Sequence, residues 1–108
     1  MESYGTVELK PYQIGEILAA LMELRRQAKK ASDKFVEATC DDFIDEFHEE
    51  EIEVGSYPEC LRRLLLEKMM FYKGSTSKEG KAKFHMYQKM VKQYQIIAYY
   101  FMRYIKAA

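Results

Sequence analysis

Asp41, Asp45 and His48 are spaced four and three residues apart in the run DDFIDEFHEEE, residues 41–51. On a helix they would share one face, and an acid-x-x-His pair is the spacing with which helical bundles hold paired metal ions. Two carboxylates and one imidazole suit a divalent cation. Such a centre takes a second acid-x-x-His from another helix. The other histidine, His85, follows Phe84 and has Ala82 three residues before it. Asp41, Asp45 and His48 are therefore half a site, and neither a metal nor a cofactor is expected.

The loop KGSTSKEGK, residues 73–81, invites comparison with a phosphate-binding loop. Gly74 and Gly80 stand one residue too far apart for G-x-x-x-x-G-K, and Ala82 occupies the place of the magnesium-binding hydroxyl. Cys40 and Cys60 have no C-x-x-C spacing and read as two buried or part-buried thiols. General acid–base chemistry needs carboxylates held in a concave, partly apolar pocket. Here the acids of 41–53 spread around most of a helix. The residue types do not compose an enzyme.

They do compose an uneven charge layout. The net charge is +0, yet residues 1–53 hold 6 Lys/Arg against 14 Asp/Glu, or −8. Residues 54–108 hold 11 against 3, or +8. The acids form one candidate docking face for a partner protein: Asp41, Asp42, Asp45, Glu46, Glu49, Glu50 and Glu53. Opposite charge across an interface raises the on-rate and fixes register. The basic half offers an alternative, nucleic-acid binding through Lys81, Lys83, Lys89, Lys92, Arg103 and Lys106. Tyr87, Tyr94, Tyr99 and Tyr100 interleave there as bases for stacking, although most of these rings also lie on an apolar stripe.

These side chains need elements to carry them. The 108 residues suit one domain, and two Pro and five Gly leave long uninterrupted segments that favour helices. Residues 1–10 read as extended or flexible, with Val7-Glu8-Leu9 extended. Pro11 suits a first helical turn. Ile14, Ile17, Leu21, Leu24, Ala28, Ala31 and Phe35 then fall in steps of three and four, one helical stripe. After Phe35 the phase moves to Val36, Cys40, Phe43 and Phe47, with Ser32-Asp33 as a cap at the change. The spacing gives helices at about 11–31, 33–53, 57–73 and 77–106. The first two read equally as one long bent helix, about 65 Å if straight. The fold class is an all-α bundle of three or four helices, which dimerisation would complete. Ser56 with Glu59, and Thr76 with Glu79, read as capping boxes.

The last helix holds the strongest anomaly. From Ile96 to Ile105 apolar residues cover almost the whole circumference. Tyr99 falls in line with Lys92, Gln95, Arg103 and Lys106, on the side that should be wet, and Met102 lies near it. Leu66 and Met70 sit likewise among Arg62, Arg63 and Lys73. A helix apolar all round is central in its bundle or covered by another chain. Leu66, Met70, Tyr99 and Met102 are the candidate apolar face for a partner or a second copy. The N-terminal MESYGTVELK lacks an apolar signal segment, and IIAYYFM is too short to span a membrane. The expectation is a cytoplasmic, non-enzymatic interaction module. It would be a regulator, adaptor or inhibitor that binds another protein and forms a homodimer.

Overall fold

A computed structural model describes the backbone of residues 6–48, 51–53 and 56–107 and the side chains of 9–47 and 56–101. Its four helices are α1 (Pro11–Lys30), α2 (Lys34–Asp45), α3 (Tyr57–Tyr72) and α4 (Lys78–Ala107). Glu16 of α1 meets Tyr100 of α4, and Ala31, just past α1, meets Lys83. Arg25 meets Asp41 of α2, and Phe43 stacks on Tyr57 of α3. Each neighbouring pair is thus antiparallel, and the chain runs up, down, up and down around one core. The 30 residues of α4 span about 45 Å at the α-helical rise, which matches the 46 Å length of the molecule.

The long stripe from Pro11 does not continue as one helix. It stops where Ser32 takes a φ of 59°. Asp33 N–H donates to Ala28 O at 2.9 Å and Ser32 N–H to Lys29 O at 3.1 Å. These two bonds make a Schellman ending, with serine where glycine is usual. Asp33 then begins α2: its Oδ1 accepts the Val36 N–H at 3.1 Å. The chain reverses within three residues. Phe35 is consequently lifted off the stripe predicted for it and lies 75% exposed.

The second helix ends at Asp45 rather than at residue 53. A 3-10 turn, Glu46–His48, follows. Glu51–Glu53 (β2) then pairs antiparallel with Thr6–Glu8 (β1), with Val7 opposite Ile52. The charges explain the early stop. Asp45 with Glu49, Glu46 with Glu50 and Glu49 with Glu53 would be like-charged neighbours one turn apart. All would sit at the helix end whose dipole is negative.

Two predicted caps also differ. Ser56 begins α3 without a side-chain cap bond, and Glu59 instead accepts from Arg62 Nη1 at 3.2 Å. Ser77, not Thr76, caps α4: its Oγ accepts the Gly80 N–H at 3.0 Å. Between them Tyr72 to Ser75 form a type II turn. Gly74 supplies the φ of 82° that such a turn needs at its third residue, and Ser75 N–H donates to Tyr72 O.

All four helices feed the core. Ile17, Leu21, Leu24 and Ala28 come from α1, Val36, Cys40 and Phe43 from α2, and Leu61 and Leu65 from α3. Tyr87, Met90, Tyr94, Ile97 and Phe101 come from α4. Phe43 sits at the aromatic centre, 5.1 to 5.5 Å from the rings of Phe47, Tyr57 and Phe101. No helix among the described residues is long and apolar enough to cross a membrane.

Candidate functional site

The acidic run is divided among three kinds of backbone. Asp41, Asp42 and Asp45 lie on α2, Glu46 in the 3-10 turn, and Glu53 in β2 opposite Thr6. Glu49 and Glu50 lie outside the described residues, as do the side chains of His48 and Glu53. Asp41 accepts a short hydrogen bond from Arg25 Nε across the α1–α2 contact. It is thereby spent on joining two helices. Among the described residues no three potential metal ligands converge. Asp42 and Asp45 are exposed and Glu46 is half-buried.

The predicted nucleic-acid face divides too. Tyr87 and Tyr94 belong to the core, so neither can stack on a base. Burial pushes the Tyr94 hydroxyl up to about 12. Burial first, and then the bond to Asp33, pushes Tyr87 above its ordinary value. Tyr100 donates to Glu16, which with partial desolvation raises it to about 12. Tyr99 remains exposed, next to Tyr100 in an edge-to-face pair. Lys81, Lys89 and Lys92 are exposed, and Lys83 Nζ donates to Ala31 O at 2.5 Å. The side chains of Arg103 and Lys106 lie outside the described residues.

Two of the four residues of the apolar face are exposed. Met70 is 59% and Tyr99 73% exposed, and Leu66 is half-buried; Met102 lies outside the described side chains. Sequence reasoning missed Phe71, which is 76% exposed. It follows Met70 and precedes Tyr72, so a turn of 100° per residue places it off the core side. That signal was available. Phe35 escapes the sequence pattern because the three–four spacing runs across the break at Ser32.

Phe35 and Phe71 belong to one region. The antiparallel course brings the α1–α2 and α3–α4 turns to the same end of the bundle. Two hollows adjoin there. One is walled by Lys34, Phe35, Lys68, Tyr72 and Lys83, over the buried Asp33. The other is walled by Phe71, Tyr72, Lys73, Ser75, Gly80 and Lys83, with Glu79 as its carboxylate. Tyr72 separates them, packed edge-on to Phe71 at 5.0 Å and stacked on Tyr87 at 6.0 Å. Beneath, Tyr87 Oη donates to Asp33 Oδ2 at 2.5 Å. Asp33 is only 7% exposed; with the α2 cap on its other oxygen it acts as a structural tie. Lys29, Lys30 and Lys78 stand around the same end, on the last turn of α1 and the first of α4.

Three of the arginines are used differently, while Arg63 is exposed and in none of these pairs. Arg25 pairs with Asp41, Arg26 with Glu23 and Arg62 with Glu59. The bond from Arg26 holds the Glu23 carboxyl below its ordinary value. Among the described residues the ion pairs seen are arginine pairs, and the lysines of the turn end are in none of them. No protein-family model, curated protein or solved structure matches this chain.

Proposed function

We propose that this chain is a small cytoplasmic protein-interaction module, non-enzymatic and self-associating, that acts as a regulator, adaptor or inhibitor. The observation that carries the reading is the outer side of α4 at Tyr99. That ring is 73% exposed and Ile96 is 44% exposed, on a helix whose other side already supplies Ile97 and Phe101 to the core. Aromatic side chains of this kind serve as anchors in interfaces. Met70 on α3 adds a flexible apolar contact, and Asp42, Asp45 and Glu46 supply the acidic part of a docking surface.

Sedimentation velocity tests the self-association. The wild type should sediment as a dimer at tens of micromolar, and Tyr99→Ser with Ile96→Ser should give a folded monomer. A wild type that stays monomeric at high concentration refutes this part of the reading. Partner capture through the acids is tested by Asp42→Lys, Asp45→Lys and Glu46→Lys together. Capture should fall and become insensitive to salt; unchanged capture removes the acidic face from the reading.

A further inference from the structure

We infer that the turn end of the bundle is a binding site for single-stranded nucleic acid, with Phe35 and Phe71 as stacking platforms and Lys34, Lys68, Lys73 and Lys83 as phosphate contacts. This goes beyond the protein-interaction reading and uses a different part of the molecule. Three observations lead to it. The first is the exposure of the two phenyl rings, each three-quarters open to solvent on the rim of its hollow. Every base has a π-face, so rings of this kind bind single strands without requiring a sequence. Neither ring has a core position that would explain it.

The second is the choice of cation. The four side chains are all lysines. Arg25, Arg26 and Arg62 are paired with carboxylates on their own or a neighbouring helix. The arginine fork serves carboxylate and phosphate alike, and lysine binds phosphate as a point charge. What favours a polyphosphate strand over an acidic peptide is the pair of exposed rings beside the lysines, on which bases can stack. The third is that the end is fixed in place. Asp33 is satisfied by Val36 N–H and Tyr87 Oη, so its charge is already held by donors beneath the lysines. The bond from Lys83 to Ala31 O joins the two turns into one floor.

The charge count sets the salt dependence. Four phosphate contacts on a single strand correspond to a slope of about −3 in log K against log salt, or about 50-fold between 50 and 200 mM. The test uses fluorescence anisotropy with labelled oligo-dT and oligo-rU of twenty nucleotides, a twenty-base-pair duplex and a poly-glutamate peptide. The single strands should bind best, with that slope. Phe35→Ser and Phe71→Ser should each weaken binding by about tenfold without altering the melting curve, because both rings lie outside the core. Lys34→Glu, Lys68→Glu and Lys73→Glu together should abolish it. Lys89→Glu with Lys92→Glu, on the outer side of α4, should cost less. The inference is overturned by absence of binding at 50 mM salt or by indifference to both phenylalanines. It is equally overturned by a larger loss from the α4 control, or by poly-glutamate binding more tightly than the strands.

Discussion

Removing Asp33 should cost the fold two bonds at once. Its carboxylate makes two bonds while only 7% exposed: Oδ1 caps α2 through Val36 N–H, and Oδ2 accepts from Tyr87 Oη. Asp33→Ala loses a cap worth about 1 kcal/mol. It also leaves the Tyr87 hydroxyl buried without an acceptor, at about 1–3 kcal/mol. The sum, about 2–4 kcal/mol, is a large part of the roughly 5–15 kcal/mol that holds a domain together. At about 4–8 °C per kcal/mol for a chain of this size, Tm should fall by about 8–32 °C. Tyr87→Phe removes the donor instead and should cost about 1.5–3 kcal/mol, since the acceptor is a carboxylate. Urea denaturation of wild type, both single variants and the double variant closes a mutant cycle. The double variant should be more stable than the sum of the singles implies, by at least 1 kcal/mol. Additivity within about 0.5 kcal/mol would mean that the two side chains do not share their energy, and the reasoning fails.

The remaining predictions concern the two turns and the thiols. Ser32 bears a φ of 59°, a region that costs an L-residue about 1–2 kcal/mol. Ser32→Gly should therefore raise stability by about 0.5–1 kcal/mol after the entropy of glycine is deducted, and an unchanged midpoint in urea would count against the Schellman geometry. A Cβ on Gly80 would fall 1.8 Å from Ser75 Oγ and 2.6 Å from Ser75 Cβ. Gly80→Ala should lower Tm by the equivalent of about 1–3 kcal/mol despite the better helix propensity of alanine; a rise in Tm would show that the turn yields. Cys40 is buried and Cys60 half-exposed, and burial pushes the Cys40 thiol from 9.0 to about 12. A thiol reagent at pH 8 should label Cys60 quickly and Cys40 only in denaturant, whereas equal rates in the native protein would contradict the core placement. Because the folded state holds this proton and the unfolded state releases it above about 9, the contribution of Cys40 to stability is intact below pH 9. It is lost by about 1.4 kcal/mol per pH unit as the pH rises toward 12.

The three–four spacing made the helices legible, because apolar stripes at Ile17–Ala28 and Tyr87–Phe101 report directly on which side is dry. Phe43 at the core centre and Tyr99 in solvent could be read the same way. What escaped the sequence were places where a backbone conformation outweighs the pattern. Ser32 ends α1 in a left-handed turn that serine seldom adopts, so the spacing alone carries the stripe on to Phe35. The carboxylates after Asp45 kept a helical spacing but made a poor helix end, and the chain turned to pair with Thr6–Glu8. Ser56 had the chemistry of a cap and did not use it. The hollows at the turn end depend on side chains from three separate segments, around residues 34, 68–73 and 83, and no local pattern in the sequence brings these together.

The tie between Asp33 and Tyr87 has a consequence for the order of assembly. Its partners are 54 residues apart, and Lys83 and Ala31 are 52 apart. The α1–α2 turn emerges from the ribosome well before the strand of chain that closes it. Until α4 arrives, Tyr87 is not there to meet the second oxygen of Asp33, which stays hydrated. Closing this end requires α4 and removes water from both turns at once. Hydrogen exchange at the amides of Ser32, Asp33 and Val36 should therefore gain its protection together with the first turns of α4, in one kinetic step.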